Sequence, residues 1–318
     1  MSKRIVVCSP IMPAQIAGRL GEIPGLEVGV AKPGELPQAA QAADGLVLLG
    51  LSYTAALAEA LRRADCRCRW LQLLTAGYEP LVEHGVPERV VVCNAGDVWS
   101  PIVAEHTMAL LLALVRRLRE IEAAQQRAAW DLTIRARMDM LYGGHLLIVG
   151  MGSIGAEVAQ RARPFGMRVT GVSRAGRPHP LADTMLPLTR LHEGLAEADA
   201  VVIAVPYSAE THHMIGAREL AACRPGAVLV NVARGGVVDP VALLAALEGG
   251  TVAGAGLDVT EPEPLPPESP LWRLPNVIVS PHLGGAAPER YYARLVDQVA
   301  VNADAFVHGR PLRSQISW

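Results

Sequence analysis

Short runs of β-branched and aliphatic residues recur along this chain with helical patterns between them, and this alternation restricts the fold more than any other feature. RIVVCS, GLVLLG, WLQLL and RVVVC come first, then LLIVG, RVTGVS, AVVIAV, AVLVNV, AGAGLDV and VIVS. Near-continuous apolar strands joined by crossover helices make parallel sheets that are buried on both faces. The break between the two sets falls in NAGDVWSPIVAEHTMALLLALVRRL, where Ser100 suits the N-cap and Pro101 the first turn of a long apolar-faced helix. At 318 residues the chain exceeds one typical domain and suffices for two. The amphipathic segment Glu289–Val307 follows the sixth strand of the second set and is surplus to a six-stranded nucleotide domain, so it is expected to pack back on the first. The expectation is an α/β protein with two doubly wound parallel sheets. Residues 101–283 form a Rossmann cofactor domain inserted into a discontinuous domain made of 1–100 and 284–318, with the two crossings as a candidate hinge.

Composition narrows the partners. The 29 basic and 31 acidic residues give a net charge of −2 and are spread without a like-charge run, which disfavours nucleic acid and membrane surfaces. Small molecules are favoured instead. The five cysteines are odd in number and include only a Cys-x-Cys pair, so they suggest reduced thiols rather than disulfides or zinc ligands, and no metal site is expected. MSKRIVVCSP lacks the apolar core of a secretion signal, and the apolar run 108–115 falls far short of the roughly 20 residues that cross a bilayer. A cytoplasmic location is expected.

LLIVGMGSIG carries the first chemical signal. Gly150-Met151-Gly152-Ser153-Ile154-Gly155 satisfies G-x-G-x-x-G between an apolar strand and a helical segment, the context in which that pattern holds a dinucleotide. Gly150 and Gly152 allow the tight turn and close approach of a pyrophosphate, Gly155 allows close helix packing, and the amides of Ser153 and Ile154 face the anion. The following strand ends at Ser173, Arg174 and, shortly after, Arg177, where an NAD enzyme usually carries an acidic residue. A guanidinium bonds a 2′-phosphate bidentately and a hydroxyl donates to it, so NADP(H) is the expected cofactor and NAD(H) the alternative.

With NVARGGVVDPVALLAAL, GAGLDVTEPEPLP, SPHLGG, VPYSAETHHMIG and NAGDVWSPIVAEHTMALLLALVRR in that order around the glycine turn, the chain resembles the D-isomer-specific 2-hydroxyacid dehydrogenases over nearly its whole length. Its VTEPEPLP and VSR stretches are similar to those of NADPH-dependent glyoxylate/hydroxypyruvate reductases. The resemblance implies a Rossmann domain inserted in a flavodoxin-like substrate domain, a cleft between them, a homodimer, and a catalytic trio of Arg234, Glu263 and His282. The long apolar helix after Ser100 is the candidate dimer surface. Dinucleotide contacts are also implied at Val205, Pro206, Thr211, Val232, Ala233, His282 and Gly284, and at Asp258 as a partner of the nicotinamide carboxamide. Ala76 and Gly77 in LTAGYEP resemble the loop whose backbone amides hold the substrate carboxylate. Tyr78-Glu79 departs from the aspartate that many relatives carry there.

The chemistry accounts for these residue types. Reduction of a 2-oxo acid needs an anchor for the carboxylate, polarisation of the ketone, a hydride, and a proton for the developing alkoxide. The planar fork of Arg234 addresses carboxylate and carbonyl together. His282 suits proton transfer because an ordinary imidazole titrates near neutrality. Glu263, preferred to Glu261 because it precedes PLP, is expected on the far imidazole nitrogen, where a carboxylate favours the imidazolium. Arg234 and His282 are therefore also substrate contacts. A phosphite-type dehydrogenase, which keeps the same trio, and a non-enzymatic dinucleotide-sensing corepressor are the alternatives.

Overall fold

The computed structural model describes residues 2–316. Its contacts divide the chain into two units, Met1–Trp99 with Ala287–Trp318, and Ser100–Ala286. The first unit begins with β1 (Lys3–Cys8), α1 (Pro13–Gly21), β2 (Leu26–Val30), α2 (Leu36–Ala42), β3 (Gly45–Leu48), α3 (Ala55–Arg62), β4 (Trp70–Leu73), α4 (Glu79–His84) and β5 (Val91–Cys93). The second holds α5 (Ser100–Val115), α6 (Leu118–Gln126), β6 (His145–Val149), α7 (Ser153–Ala162), β7 (Arg168–Ser173), β8 (Thr184–Pro187), α8 (Leu191–Glu197), β9 (Ala200–Ile203), α9 (Ala217–Ala221), β10 (Val228–Asn231), α10 (Pro240–Glu248), β11 (Gly254–Leu257) and β12 (Val277–Val279). The chain then returns to the first unit as α11 (Glu289–Val307).

Both sheets are parallel, as the apolar runs require. The five-stranded sheet has the order β2-β1-β3-β4-β5, the flavodoxin-like doubly wound arrangement. In the seven-stranded sheet the order is β12-β11-β10-β9-β6-β7-β8, so the winding reverses between β6 and β9. Two strands escape a reading of apolar runs, and the second sheet has seven strands where six are expected. LEVGV (β2) and TMLP (β8) are edge strands with exposed positions, so neither needs the continuous hydrophobicity that marks their central neighbours.

Trp70, Ile5, Val7, Ile16 and Leu20 form one core of the first unit together with Leu295, Val299 and Ala303 of α11. That is where the apolar face of the return helix is buried. Asn302, on the same helix and fully buried, donates to Gln72 Oε1 at 2.7 Å and to the carbonyl of Arg313, and accepts from the Arg313 amide at 2.8 Å. In the second unit α5 packs on α7, β10 and β11. Its buried apolar residues, Val103, Ala104, Met108, Leu110, Leu111, Leu114 and Val115, share one side of the helix, and the other side is itself largely apolar, with Ala109, Leu112 and Ala113 beside Glu105 and His106. Those seven apolar residues are covered by their own unit, while Ala109 is exposed and Ile102, Leu112 and Ala113 are half-buried. A run of exposed large apolar side chains follows it, at Leu118, Ile121, Trp130, Leu132, Met140 and Tyr142.

Candidate active site

Six strands of the second sheet, β6, β7, β9, β10, β11 and β12, deliver the candidate residues at or just beyond their carboxyl ends, the side of an open α/β sheet on which ligands bind. The glycine turn leaves β6 next to the point where strand order reverses. Gly150 has φ +105°, and a Cβ there would lie 2.6 Å from the carbonyl oxygen of Ala204. A Cβ on Gly155 would meet the carbonyl oxygen of Gly150 at 2.1 Å, so the turn and α7 approach too closely for any side chain. At Gly152, the N-cap of α7, the space a Cβ would enter is open, and no side chain caps the helix. The first amides of α7, Ser153 and Ile154 among them, have no partner within the helix by its geometry. An open cradle at an uncapped ten-residue helix start fits a pyrophosphate.

Around this turn the other cofactor candidates take defined places. Val205 and Pro206 follow β9, and the amide of Val205 borders Gly150. The Thr211 hydroxyl donates to the carbonyl of Pro206 at 2.9 Å and accepts from the amide of Ser208, closing that loop on itself. Ser173 ends β7 and accepts the amide of Gly176, while Arg174 and Arg177 stand in solvent. Arg174 pairs with Glu210 at 3.0 Å, a partner the sequence reading did not name.

Past β10, Val232 and Ala233 are buried, and Asn231 shapes the turn into Arg234. Its side chain accepts from the Ala233 amide at 3.0 Å and donates to the Arg234 carbonyl at 3.0 Å. Asn231 is thus a positioning residue that sequence reasoning missed, although NVARGG displays an Asx-turn signal. Arg234 is half-buried and donates to the Ala233 carbonyl at 2.7 Å. A Cβ at Gly235 would overlap the carbonyl of Thr260, so the loop bearing Glu261 and Glu263 sits directly on the Arg234 turn.

The two carboxylates of that loop have separate partners. Glu263 Oε1 accepts from His282 Nδ1 at 2.6 Å, and Glu261 Oε2 lies 2.6 Å from His213 Nε2. His282 takes the left-handed conformation, φ +55°, unusual for a residue with a Cβ. Its amide donates to the carbonyls of both Asp258 and Ser280 at 2.8 Å, which holds it there. Nδ1 is thus engaged by Glu263 and Nε2 is the opposite ring nitrogen.

Asp258, only 4% exposed, ties the same turn together. Its Oδ1 accepts from the Ser280 hydroxyl and the amides of Leu283 and Gly284, and Oδ2 accepts from Gly284 at 3.0 Å. His106 Nε2 of α5 stands 3.3 Å from Oδ1. Burial pushes this carboxyl's pKa upward, but His106, Ser280 and the Gly284 amide outweigh it and hold it below the ordinary aspartate value. The position of Asp258 at a strand end gave no sign that so many donors converge on it. Gly284 has no room for a side chain, because a Cβ would meet Asp258 Oδ2 at 2.5 Å.

Ala76 and Gly77 belong to the first unit, in the loop after β4. Asn94 donates to the carbonyl of Ala76 at 2.8 Å and the Thr75 hydroxyl to that of Gly77 at 2.9 Å, which fixes the loop's conformation.

Comparison with known proteins follows the same lines. Residues 108–284 match the family model described as D-isomer specific 2-hydroxyacid dehydrogenase, NAD binding domain. The chain is 40% identical over 252 residues to a glyoxylate reductase of Thermococcus gammatolerans, covering 76% of this chain and 74% of that one. It is 37% identical over 263 residues to glyoxylate/hydroxypyruvate reductase B of Yersinia enterocolitica, covering 81% and 79%. Among solved structures it resembles a D-isomer specific 2-hydroxyacid dehydrogenase of Xanthobacter autotrophicus in complex with NADPH and MES. The TM-score is 0.85 and the identity 28%, over 100% of this chain and 98% of that one.

Proposed function

The chain belongs to the D-isomer specific 2-hydroxyacid dehydrogenase family, and from that premise we propose that it is an NADPH-preferring reductase of small 2-oxo acids such as glyoxylate and hydroxypyruvate, producing the D-2-hydroxy acid. It is an oxidoreductase that uses a nicotinamide dinucleotide. The observation that carries the proposal is the His282–Glu263 pair at 2.6 Å, on a loop seated against the turn of Arg234.

In this reading Gly150, Gly152, Ser153, Ile154 and Gly155 hold the pyrophosphate. Val205, Pro206, Thr211, Val232, Ala233 and Gly284 border the dinucleotide, and Asp258 meets its carboxamide. The bound dinucleotide supplies the hydride. Arg234 orients the substrate carboxylate and draws electron density toward the ketone oxygen, so that charge develops where a fixed cation already stands. His282 gives the proton from Nε2 to that oxygen. Glu263, bonded to Nδ1, keeps the ring in the tautomer and rotation that present Nε2, and stabilises the imidazolium before transfer. Ala76 and Gly77 are proposed as amide donors to the substrate carboxylate.

Ser173, Arg174 and Arg177 support a preference for NADP(H). Arg174 is exposed and paired with the equally exposed Glu210, and a 2′-phosphate is the stronger acceptor. A homodimer is proposed on the exposed apolar residues between Leu118 and Tyr142, with Trp130 92% exposed. The five cysteines are buried and free, which supports a reducing, cytoplasmic setting. Among the described residues no helix is long and apolar enough to cross a membrane.

The test is initial-rate oxidation of NADPH and NADH against glyoxylate, hydroxypyruvate, pyruvate, phenylpyruvate and a longer branched 2-oxo acid. The proposal expects turnover with NADPH preferred and the smallest acids fastest. Equal use of NADH would overturn the cofactor assignment, and a preference for the branched acid would overturn the substrate assignment.

A further inference from the structure

A second cluster of ligand-type side chains lies in the same unit, outside the catalytic trio. His212 and His213 are consecutive, yet their rings stack with centroids 3.9 Å apart and planes 24° from parallel. Neighbouring side chains ordinarily diverge. Here His213 takes φ +49°, and its amide is anchored on the carbonyl of Gly236 at 2.7 Å, which brings both rings to one side of the loop. Glu261 reaches the pair from the loop after β11, 2.6 Å from His213 Nε2. One donor atom from each of His212, His213 and Glu261 lies within 4.8 Å of the other two. Tyr207 Oη, 3.2 Å from His212 Nδ1, fixes the rotation of that ring.

We infer that His212, His213 and Glu261 form a binding site for one divalent cation of the zinc class. Two imidazoles and a carboxylate are a zinc-type donor set that leaves the fourth tetrahedral position to water, whereas magnesium and calcium seek oxygen ligands. Binding requires the hydrogen between His213 Nε2 and Glu261 Oε2 to leave that position, either to Nδ1 of the same ring or to solvent. Those two atoms must then part from 2.6 Å to the roughly 3.3 Å that ligands about 2.0–2.1 Å from a tetrahedral centre require. The side chains of His213 and Glu261 are each 36% exposed and His212 is exposed, so there is room for the movement and a route in from solvent. Tyr207 is the outer partner that orients a ligating imidazole. No sequence motif announces the site, because Glu261 lies 48 residues from His213 and only the fold joins them. The inference stands apart from the reductase proposal.

Equilibrium dialysis of chelator-treated protein against zinc tests it without recourse to turnover. Wild type and His282→Ala should each retain one zinc per chain. His212→Ala and Glu261→Gln should each lose roughly a hundredfold or more in affinity, beyond the loss expected for an outer partner alone. The His212 side chain is exposed and its contacts are the Tyr207 hydroxyl and the His213 ring, while the hydrogen bond from its amide to the Ser208 carbonyl survives truncation, so the fold should stay intact. Failure of wild type to retain zinc, retention undiminished in His212→Ala, or loss confined to His282→Ala would each overturn the assignment.

Discussion

His282 occupies a backbone conformation that a β-carbon disfavours, and three neighbours hold it there: the carbonyls of Asp258 and Ser280 on its amide and Glu263 on its ring. The sequence marks it as a histidine in SPHLGG at a strand end, and the partnership with Glu263 rather than Glu261 is legible only by resemblance. The left-handed φ and the donors gathered on Asp258 leave no trace in residue type. Three substitutions probe the candidate substrate and cofactor residues. Arg234→Lys keeps the charge but loses the fork, and should lower kcat/KM for a 2-oxo acid by roughly a hundredfold or more, read from initial rates. A nearly normal enzyme would remove Arg234 from the site. For the cofactor, Arg174→Ala should cut the NADPH/NADH ratio of kcat/KM by roughly ten- to a hundredfold, the worth of a hydrogen bond to a charged group. Glu210→Gln should move the same ratio the other way by about two- to fivefold, because an exposed ion pair competes only weakly. A ratio unchanged in both variants would mean that the 2′-phosphate is read elsewhere.

Central strands advertise themselves by continuous hydrophobicity, and β6, β9 and β10, fully buried along their lengths, are plain in the sequence. β2 and β8 are not, because an edge strand buries less and is punctuated by polar residues, glycine or proline. The burial of α5 shows a related limit: an apolar helix is evident in its residues, but whether it is covered by its own unit or by a second chain is decided by packing. Two element-level predictions follow from buried polar groups. On α11, Asn302→Leu leaves the backbone groups of Arg313 and the Gln72 side chain short of partners and should destabilise the fold by about 1–3 kcal/mol in denaturant titration. On β6, His145 is buried with Nε2 on the Thr170 hydroxyl, and burial, then the charge of Arg168, push its pKa below the ordinary 6.5. The unfolded chain therefore takes up the proton first as pH falls. This contribution to stability is complete above about pH 6.5 and is lost progressively below it. In His145→Gln, urea midpoints should fall less steeply with acidification below that pH than in wild type, and parallel slopes would contradict the assignment.

At the scale of the whole chain, the discontinuous division into units follows from a return helix that the nucleotide sheet does not need, and α11 buries its apolar face on Ile16, Leu20 and Trp70. The proposed homodimer would bury the exposed apolar stretch after α5, so Trp130→Glu should shift sedimentation from dimer to monomer, while a monomeric wild type would dismiss the interface. The account as a whole rests on hydride transfer to a 2-oxo acid with His282 as the proton donor. Its most direct test is single-turnover reduction of glyoxylate or hydroxypyruvate by NADPH in wild type and His282→Ala, with NADPH affinity measured on both proteins. The account predicts a slowing of roughly a hundred- to ten-thousandfold in the variant with nearly unchanged NADPH binding. A wild type that binds NADPH tightly and reduces neither acid, or a variant that reduces them at the wild-type rate, would contradict it.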